Sequence, residues 1–112
     1  MDETQQSKIT AEALIEKKYE LLGAMGRASA IETDYYELVQ GLEPRNIFLN
    51  ADNFYQWATT DGPFSRVNVE AWVTVAEKSA DPIKMIEASC ILGCVGRVRQ
   101  MYALLHAKPV VK

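Results

Sequence analysis

The sequence predicts an all-α fold, a small bundle of four to five helices with an apolar C-terminal helix at its centre. Three observations predict it. Apolar residues near the N-terminus recur every seven positions, an Asp-Pro pair at 81–82 is a strong helix start, and the segment 88–96 contains no charged residue. At 112 residues we expect one helical domain over 10–108, after a polar lead-in at 1–9 and before a tail at 109–112.

The first predicted element is a long amphipathic helix that Thr10 caps. Its apolar stripe contains Leu14, Leu21, Ala28 and Tyr35. We favour one continuous helix to about Gln40, ended by Gly41 and Pro44, because no strong stop signal interrupts it. The alternative is a break at 23–26, where two glycines occur, with Ser29 capping a second helix and Glu32 completing a capping box.

Shorter elements follow over residues 42–80. The segment 42–50 is a connection in which Ile47-Phe48-Leu49 is expected to fill part of the core. Asp52 is predicted to cap a short helix through about Thr59, and Asp61-Gly62-Pro63 is a turn signal. Ser65 or Asn68 then opens a helix whose apolar positions follow helical spacing: Val69, Trp72, Val73 and Ala76.

The last helix is predicted from Asp81-Pro82 to about His106, with Pro109 as its stop. Because its segment 88–96 is uncharged on all faces, we expect neighbours on every side, either as the centre of the bundle or in a dimer core. Cys90 and Cys94 on this helix are interpreted as free core cysteines. The sequence predicts no disulfide framework, secretory signal or membrane span, so we expect a reduced, cytoplasmic protein.

Charge limits the classes of partner. The net charge is −3 and the pI about 5.1, which argues mildly against phosphate binding. Residues 1–44 hold nine acidic and four basic residues, hence −5, and residues 45–112 hold six and eight, hence +2. A basic C-terminal face therefore stays open, and its candidate phosphate contacts are Arg97, Arg99 and Lys108.

Motifs for catalysis, metals or cofactors are weak. His106 is the only histidine, and it lies more than three helical turns beyond Cys94, so the two cannot share a zinc site within one helix. The carboxylates on the first helix alternate with lysines, as on a solvated face. The Gly-x-x-Gly spacings at 23–26 and 93–96 favour close helix contacts over ligand loops. We therefore expect no cofactor and no metal.

Aromatic residues form the most informative cluster. Six of the ten aromatics fall within 25 residues: Phe48, Phe54, Tyr55, Trp57, Phe64 and Trp72. They either hold the short helices on the long ones or form an exposed groove, and Trp and Tyr are enriched at binding hot spots. As partner-binding residues the sequence indicates Phe54, Tyr55, Trp57, Phe64 and Trp72.

The sequence favours a non-enzymatic protein that binds another protein, as an adaptor, an escort chaperone or an antagonist. It would use the aromatic cluster or the N-terminal amphipathic helix, and homodimerisation would cover the apolar last helix. One alternative is a nucleic-acid-binding transcriptional regulator that uses the basic C-terminal end. Another is a small enzyme or ligand-binding bundle with a pocket lined by Trp57, Tyr55 and Trp72.

Overall fold

The chain folds as the predicted all-α bundle. The computed structural model describes residues 16–41 and 50–107, and these ranges contain five helices and no strand. The helices are α1 (described over residues 16–20), α2 (Ala24–Val39), α3 (Ala51–Thr60), α4 (Arg66–Lys78) and α5 (Pro82–His106). No helix in these ranges combines the length and the apolar character needed to cross a bilayer. The predicted Ile47-Phe48-Leu49 plug lies outside the described residues.

The prediction of one helix through residue 40 is wrong, because the chain reverses between α1 and α2. The Leu22 amide donates to the Tyr19 carbonyl at 3.1 Å, and Gly23 is extended (φ −65°, ψ 171°) as the N-cap of α2. The reversal brings the Tyr19 hydroxyl into a hydrogen bond with the Asp34 carboxylate. In a straight helix these residues would lie about 22 Å apart. The break therefore falls where the alternative interpretation put it, but α2 begins well before Ser29.

The other helix ends follow from local capping. Gly41 ends α2 with φ 78°, a conformation that glycine adopts without strain. The cap of α3 is Asn50, whose Oδ1 accepts the Asn53 amide at 2.8 Å, and not the predicted Asp52. Ser65 caps α4, as one of the two predicted options. The Asn50 and Ser65 side chains accept backbone amides that the first turn of a helix leaves without a partner.

Asp81 and Pro82 start α5 as the sequence predicts. The Asp81 Oδ1 accepts the Ile83 amide at 2.9 Å, and Pro82 occupies the first turn, where a missing N–H costs nothing. The helix then runs for 25 residues to His106, so its predicted end is confirmed as well.

Helix α5 is central because both α2 and α4 pack against it. Its buried side presents Ile91, Val95 and Val98 to a core that includes Ile31 and Tyr35 of α2. Burial of such side chains contributes roughly 1.5–3 kcal/mol each.

Within one copy of the chain, the described residues do not cover α5 on every side. Ser89 and Gly96 are exposed. Cys94 is buried as predicted, but Cys90 is exposed, so the prediction of two core cysteines is wrong for Cys90. One side of the uncharged segment therefore faces solvent, and the alternative of a dimer core stays a prediction.

Candidate protein-binding cleft

A cleft of about 370 Å³ lies between the α1–α2 bend, the α3–α4 turn and α5. Its lining includes three of the five residues predicted to bind a partner, namely Trp57, Phe64 and Trp72. The other residues that line it are Glu16, Tyr19, Ala24, Arg27, Ala28, Asp61, Gly62, Pro63, Asn68 and Ile91. The size is in the range of natural ligand pockets.

The α3–α4 turn sets the position of one wall of the cleft. The Gly62 amide donates to the Trp57 carbonyl at 2.8 Å, and the Phe64 amide donates to the Ala58 carbonyl at 2.9 Å. These bonds fold residues 61–65 back onto the end of α3 and bury Phe64 completely. The predicted Asp61-Gly62-Pro63 turn is therefore confirmed, and it brings the second wall, on α4, towards Trp57.

The Trp57 ring is held by other aromatic rings. It stacks on Tyr19 with the ring centroids 5.7 Å apart and tilts against Phe54 at 5.7 Å. Its Nε1 is buried and has no hydrogen-bond partner among the described residues. Buried Trp N–H groups normally find a partner. Trp57 and Trp72 are both half-buried, so neither residue is fully enclosed by the core.

Charged side chains also line the cleft. Glu16 and Asp61 are exposed. The Arg27 guanidinium donates from Nη1 to the Leu22 carbonyl at 2.5 Å, so one of its donors is committed to the α1–α2 bend. The described lining thus carries two negative charges and one positive charge.

Tyr19 connects the cleft to α2. Burial, and then its hydrogen bond to the Asp34 carboxylate, raise the pKa of Tyr19 far above its ordinary value. Lys18 Nζ lies 2.6 Å from the same carboxylate and 5.5 Å from the centroid of the Tyr19 ring. The Tyr19 side chain therefore stays neutral and holds α1 against α2 behind Trp57.

The two remaining predicted residues lie away from the cleft lining. Phe54 is buried in the core, and Tyr55 is half-buried. Tyr55 stacks on Tyr102 of α5 with the centroids 3.8 Å apart and tilts against Tyr35 at 5.8 Å. The cluster that looks continuous in sequence is thus divided. One part forms the cleft and the other attaches α3 to α2 and α5.

His106 lies at the end of this second aromatic group, next to Tyr102. Its ring stacks on Tyr102 at 4.1 Å, and its Nε2 lies 3.0 Å from Asp52 Oδ1. The Nδ1 lies 2.9 Å from the Tyr102 carbonyl. These contacts place the imidazole at the C-terminal end of α5, where a cation is favoured by the helix dipole. His106 therefore has a structural role, since it contacts Asp52 of α3 and Tyr102 of α5.

A second depression, which the sequence did not predict, lies on the other side of α5. This α5 groove has a volume of about 580 Å³. Its lining residues are Met25, Ser29, Ala76, Met85, Ile86, Ser89, Cys90, Ile91, Gly93, Cys94 and Arg97. Ile86 is 64% exposed and Met25 44%. The uncharged segment 88–96 was the signal for it, since this segment supplies five of the eleven residues that line the groove.

The predicted phosphate contacts do not form one basic surface in the described part of the chain. The Arg97 guanidinium donates to both carboxylate oxygens of Glu32, from Nε at 2.6 Å and from Nη2 at 3.0 Å. This bidentate contact lowers the pKa of Glu32 and neutralises Arg97. Arg99 is exposed, and Lys108 lies outside the described residues. The pairing weakens the case for nucleic acid.

Among the described residues, no group of three His, Cys, Asp or Glu side chains could hold a metal ion. Comparisons with protein-family models, curated proteins and solved structures found no match for this chain.

Proposed function

We propose that this chain is a non-enzymatic protein-binding module that takes a side chain of its partner into the cleft between α3, α4 and the α1–α2 bend. One observation supports the proposal above the others. Trp57 and Trp72, 15 residues apart in sequence, line the same open cleft, and both are half-buried. Tryptophans are enriched at the energetic centre of protein interfaces.

The chemistry of the lining agrees with binding. The described residues that line the cleft include no His, Cys, Ser, Thr or Lys, which are the common nucleophiles and proton-transfer groups besides carboxylates and Tyr. The Tyr19 hydroxyl is already bonded to Asp34. Partial burial of two large aromatic side chains supplies contact area with little loss of side-chain entropy.

The experiment is capture of the partner from the source cell with a blocking variant and a matched control. Asn68 and Asn53 are both exposed and both occupy the third position of a helix, in α4 and α3 respectively. Only Asn68 lines the cleft. Asn68→Arg places a long side chain at the opening, whereas Asn53→Arg adds the same charge elsewhere.

The captured protein is then purified and titrated against each variant. We expect Asn68→Arg to weaken binding by at least about tenfold, which is roughly 1.4 kcal/mol, and Asn53→Arg to leave it unchanged. Since the chain has 2 Trp and both line the cleft, tryptophan emission reports occupancy directly. Equal binding by the two variants would refute the proposal.

We also propose that a second copy of the chain covers the α5 groove. In the part of the chain that the structure describes, Arg97 is the one charged residue that lines the groove, and Glu32 neutralises it. The second copy would present the same groove, in which Ser89 and Cys90 are exposed and belong to the uncharged segment 88–96. Two neutral apolar surfaces can pair without burying an unpaired charge, and a two-fold axis would bring the same surface of each copy together.

The dimer has its own test. Cys90 is exposed and Cys94 buried, so a thiol-specific cross-linker should join two copies through Cys90 alone. Light scattering at micromolar concentration should give a dimer, and Ile86→Asp should give a monomer. Leu104→Asp is the control, because Leu104 is exposed on α5 but does not line the groove. A wild-type monomer under these conditions would contradict the proposal.

A further inference from the structure

The geometry of the cleft points to the kind of side chain it accepts. We infer that the partner inserts a cationic side chain, a lysine or an arginine, between Trp57 and Trp72 and towards the carboxylates of Glu16 and Asp61. This inference rests on the proposed function and specifies the partner's chemistry.

The aromatic walls supply the first argument. A cation within about 6 Å of the centroid of a Trp ring is attracted by the negative face of the ring, and Trp attracts it more strongly than Tyr or Phe. Both Trp57 and Trp72 line the cleft and keep exposed surface. The fold already uses this chemistry beside the cleft, where Lys18 Nζ lies 5.5 Å from the centroid of the Tyr19 ring.

The charges of the lining supply the second argument. Glu16 and Asp61 are exposed, and neither forms an ion pair with another described residue. Among the described residues, Arg27 is the one basic residue that lines the cleft, and its Nη1 donates to the Leu22 carbonyl. The described lining therefore has a net charge of −1, from two carboxylates and one guanidinium.

The aromatic rings and the charges of the lining together favour one class of partner side chain over the others. A purely apolar side chain would contact the rings but would leave both carboxylates unused. An acidic side chain would meet two carboxylates and one guanidinium among the described lining residues, a net charge of its own sign. A lysine or arginine places its methylene stem on the rings and its charged head at the carboxylates, as long cationic side chains do at apolar surfaces. The cleft volume of about 370 Å³ is large enough for either side chain.

The test compares two capped amino acids that differ only in the ammonium group, Nα-acetyl-lysine methylamide and Nα-acetyl-norleucine methylamide. Each is titrated into the full chain at constant ionic strength while tryptophan emission is followed. We expect the lysine amide to bind at least about fivefold more tightly than the norleucine amide. Equal affinities, or no change of emission with either compound, would overturn the inference.

Charge-removing variants test the role of the carboxylates. Asp61→Asn should weaken the binding of the lysine amide by about threefold to tenfold and leave the binding of the norleucine amide unchanged. Glu77→Gln is the control, because Glu77 is exposed on α4 and does not line the cleft. An equal effect of the two variants, or none, would overturn the inference. In that case a partner whose binding still depends on Asn68 would leave the proposed function intact.

Discussion

Replacing Gly62 with alanine should destabilise the fold because the α3–α4 turn has no room for a Cβ atom. A Cβ at this position would lie 2.9 Å from the Ala58 Cα and 3.2 Å from the carbonyl oxygens of Ala58 and Trp57. These atoms belong to the backbone, so the turn itself must shift. The shift would strain the bond from the Gly62 amide to the Trp57 carbonyl, now 2.8 Å, and displace the buried Phe64.

The magnitude follows from two contributions. Overpacking of a well-packed site costs about 1–3 kcal/mol, and a weakened buried hydrogen bond costs about 1 kcal/mol. We therefore expect Gly62→Ala to lower the free energy of unfolding by about 2–4 kcal/mol. The assay is urea denaturation followed by tryptophan emission, with the slope of the transition compared with that of the wild type.

Gly96→Ala is the matched control, since Gly96 is exposed within α5 and an added Cβ would meet nothing within 4 Å. Glycine costs roughly 0.5–1 kcal/mol relative to alanine inside a helix, so this variant should gain about that amount. If Gly62→Ala were as stable as the wild type, the packing of the α3–α4 turn described above would be incorrect.

Three further predictions concern stability. Tyr35→Phe removes a buried hydroxyl that has no partner among the described residues, so we expect about 1 kcal/mol more stability at pH 7 by urea denaturation. Burial raises the pKa of Tyr35 to about 12. The wild type should therefore lose stability as the pH rises from about 10 to 12, and the Phe variant should lose less. Glu32→Gln should lower the urea midpoint at pH 7, and its difference from the wild type should shrink as the pH is lowered into the acid range. The hydrogen bonds from Arg97 lower the pKa of Glu32, so its stabilisation is lost as the pH falls through that lowered pKa. Asp81→Ala should cost about 1 kcal/mol by loss of the α5 cap, and an unchanged midpoint would contradict that role.

The elements set by local chemistry could be predicted from the sequence. Asp81 and Pro82 act within one helical turn, so both the start of α5 and its cap follow from residue types alone. The same holds for the turn at 61–63 and for Ser65 as a possible cap. In each case the hydrogen-bond partner lies within a few residues.

The break between α1 and α2 depends on contacts that are distant in sequence. Local propensity favours a continuous helix through Leu21 and Leu22, but the bond between Tyr19 and Asp34, together with Lys18, stabilises the reversal. Tertiary contacts of this kind override helix propensity, which differs by less than about 1 kcal/mol per residue. The sequence pattern could therefore mark the two glycines without deciding between the alternatives.

The cleft could be predicted only in part. The density of aromatics between residues 48 and 72 indicated a site, but not which rings would share it. Trp57 and Trp72 line one cleft because the turn at 61–65 folds back onto the end of α3, whereas Tyr55 stacks on Tyr102 of α5. The acidic lining residue Glu16 comes from α1, whose direction depends on the unpredicted reversal. Pairing of Arg97 with Glu32, 65 residues apart, was equally invisible to local patterns.

We propose that a protein partner binds in the cleft between Trp57 and Trp72, and one measurement tests this binding site directly. The chain has 2 Trp, so a ¹⁵N-labelled sample gives two indole N–H signals, and both report on this cleft. On addition of the purified partner, we predict that both indole signals shift or broaden in the wild type and in Asn53→Arg, and that neither does so in Asn68→Arg. Backbone amides that shift elsewhere while both indole signals stay in place would contradict the account.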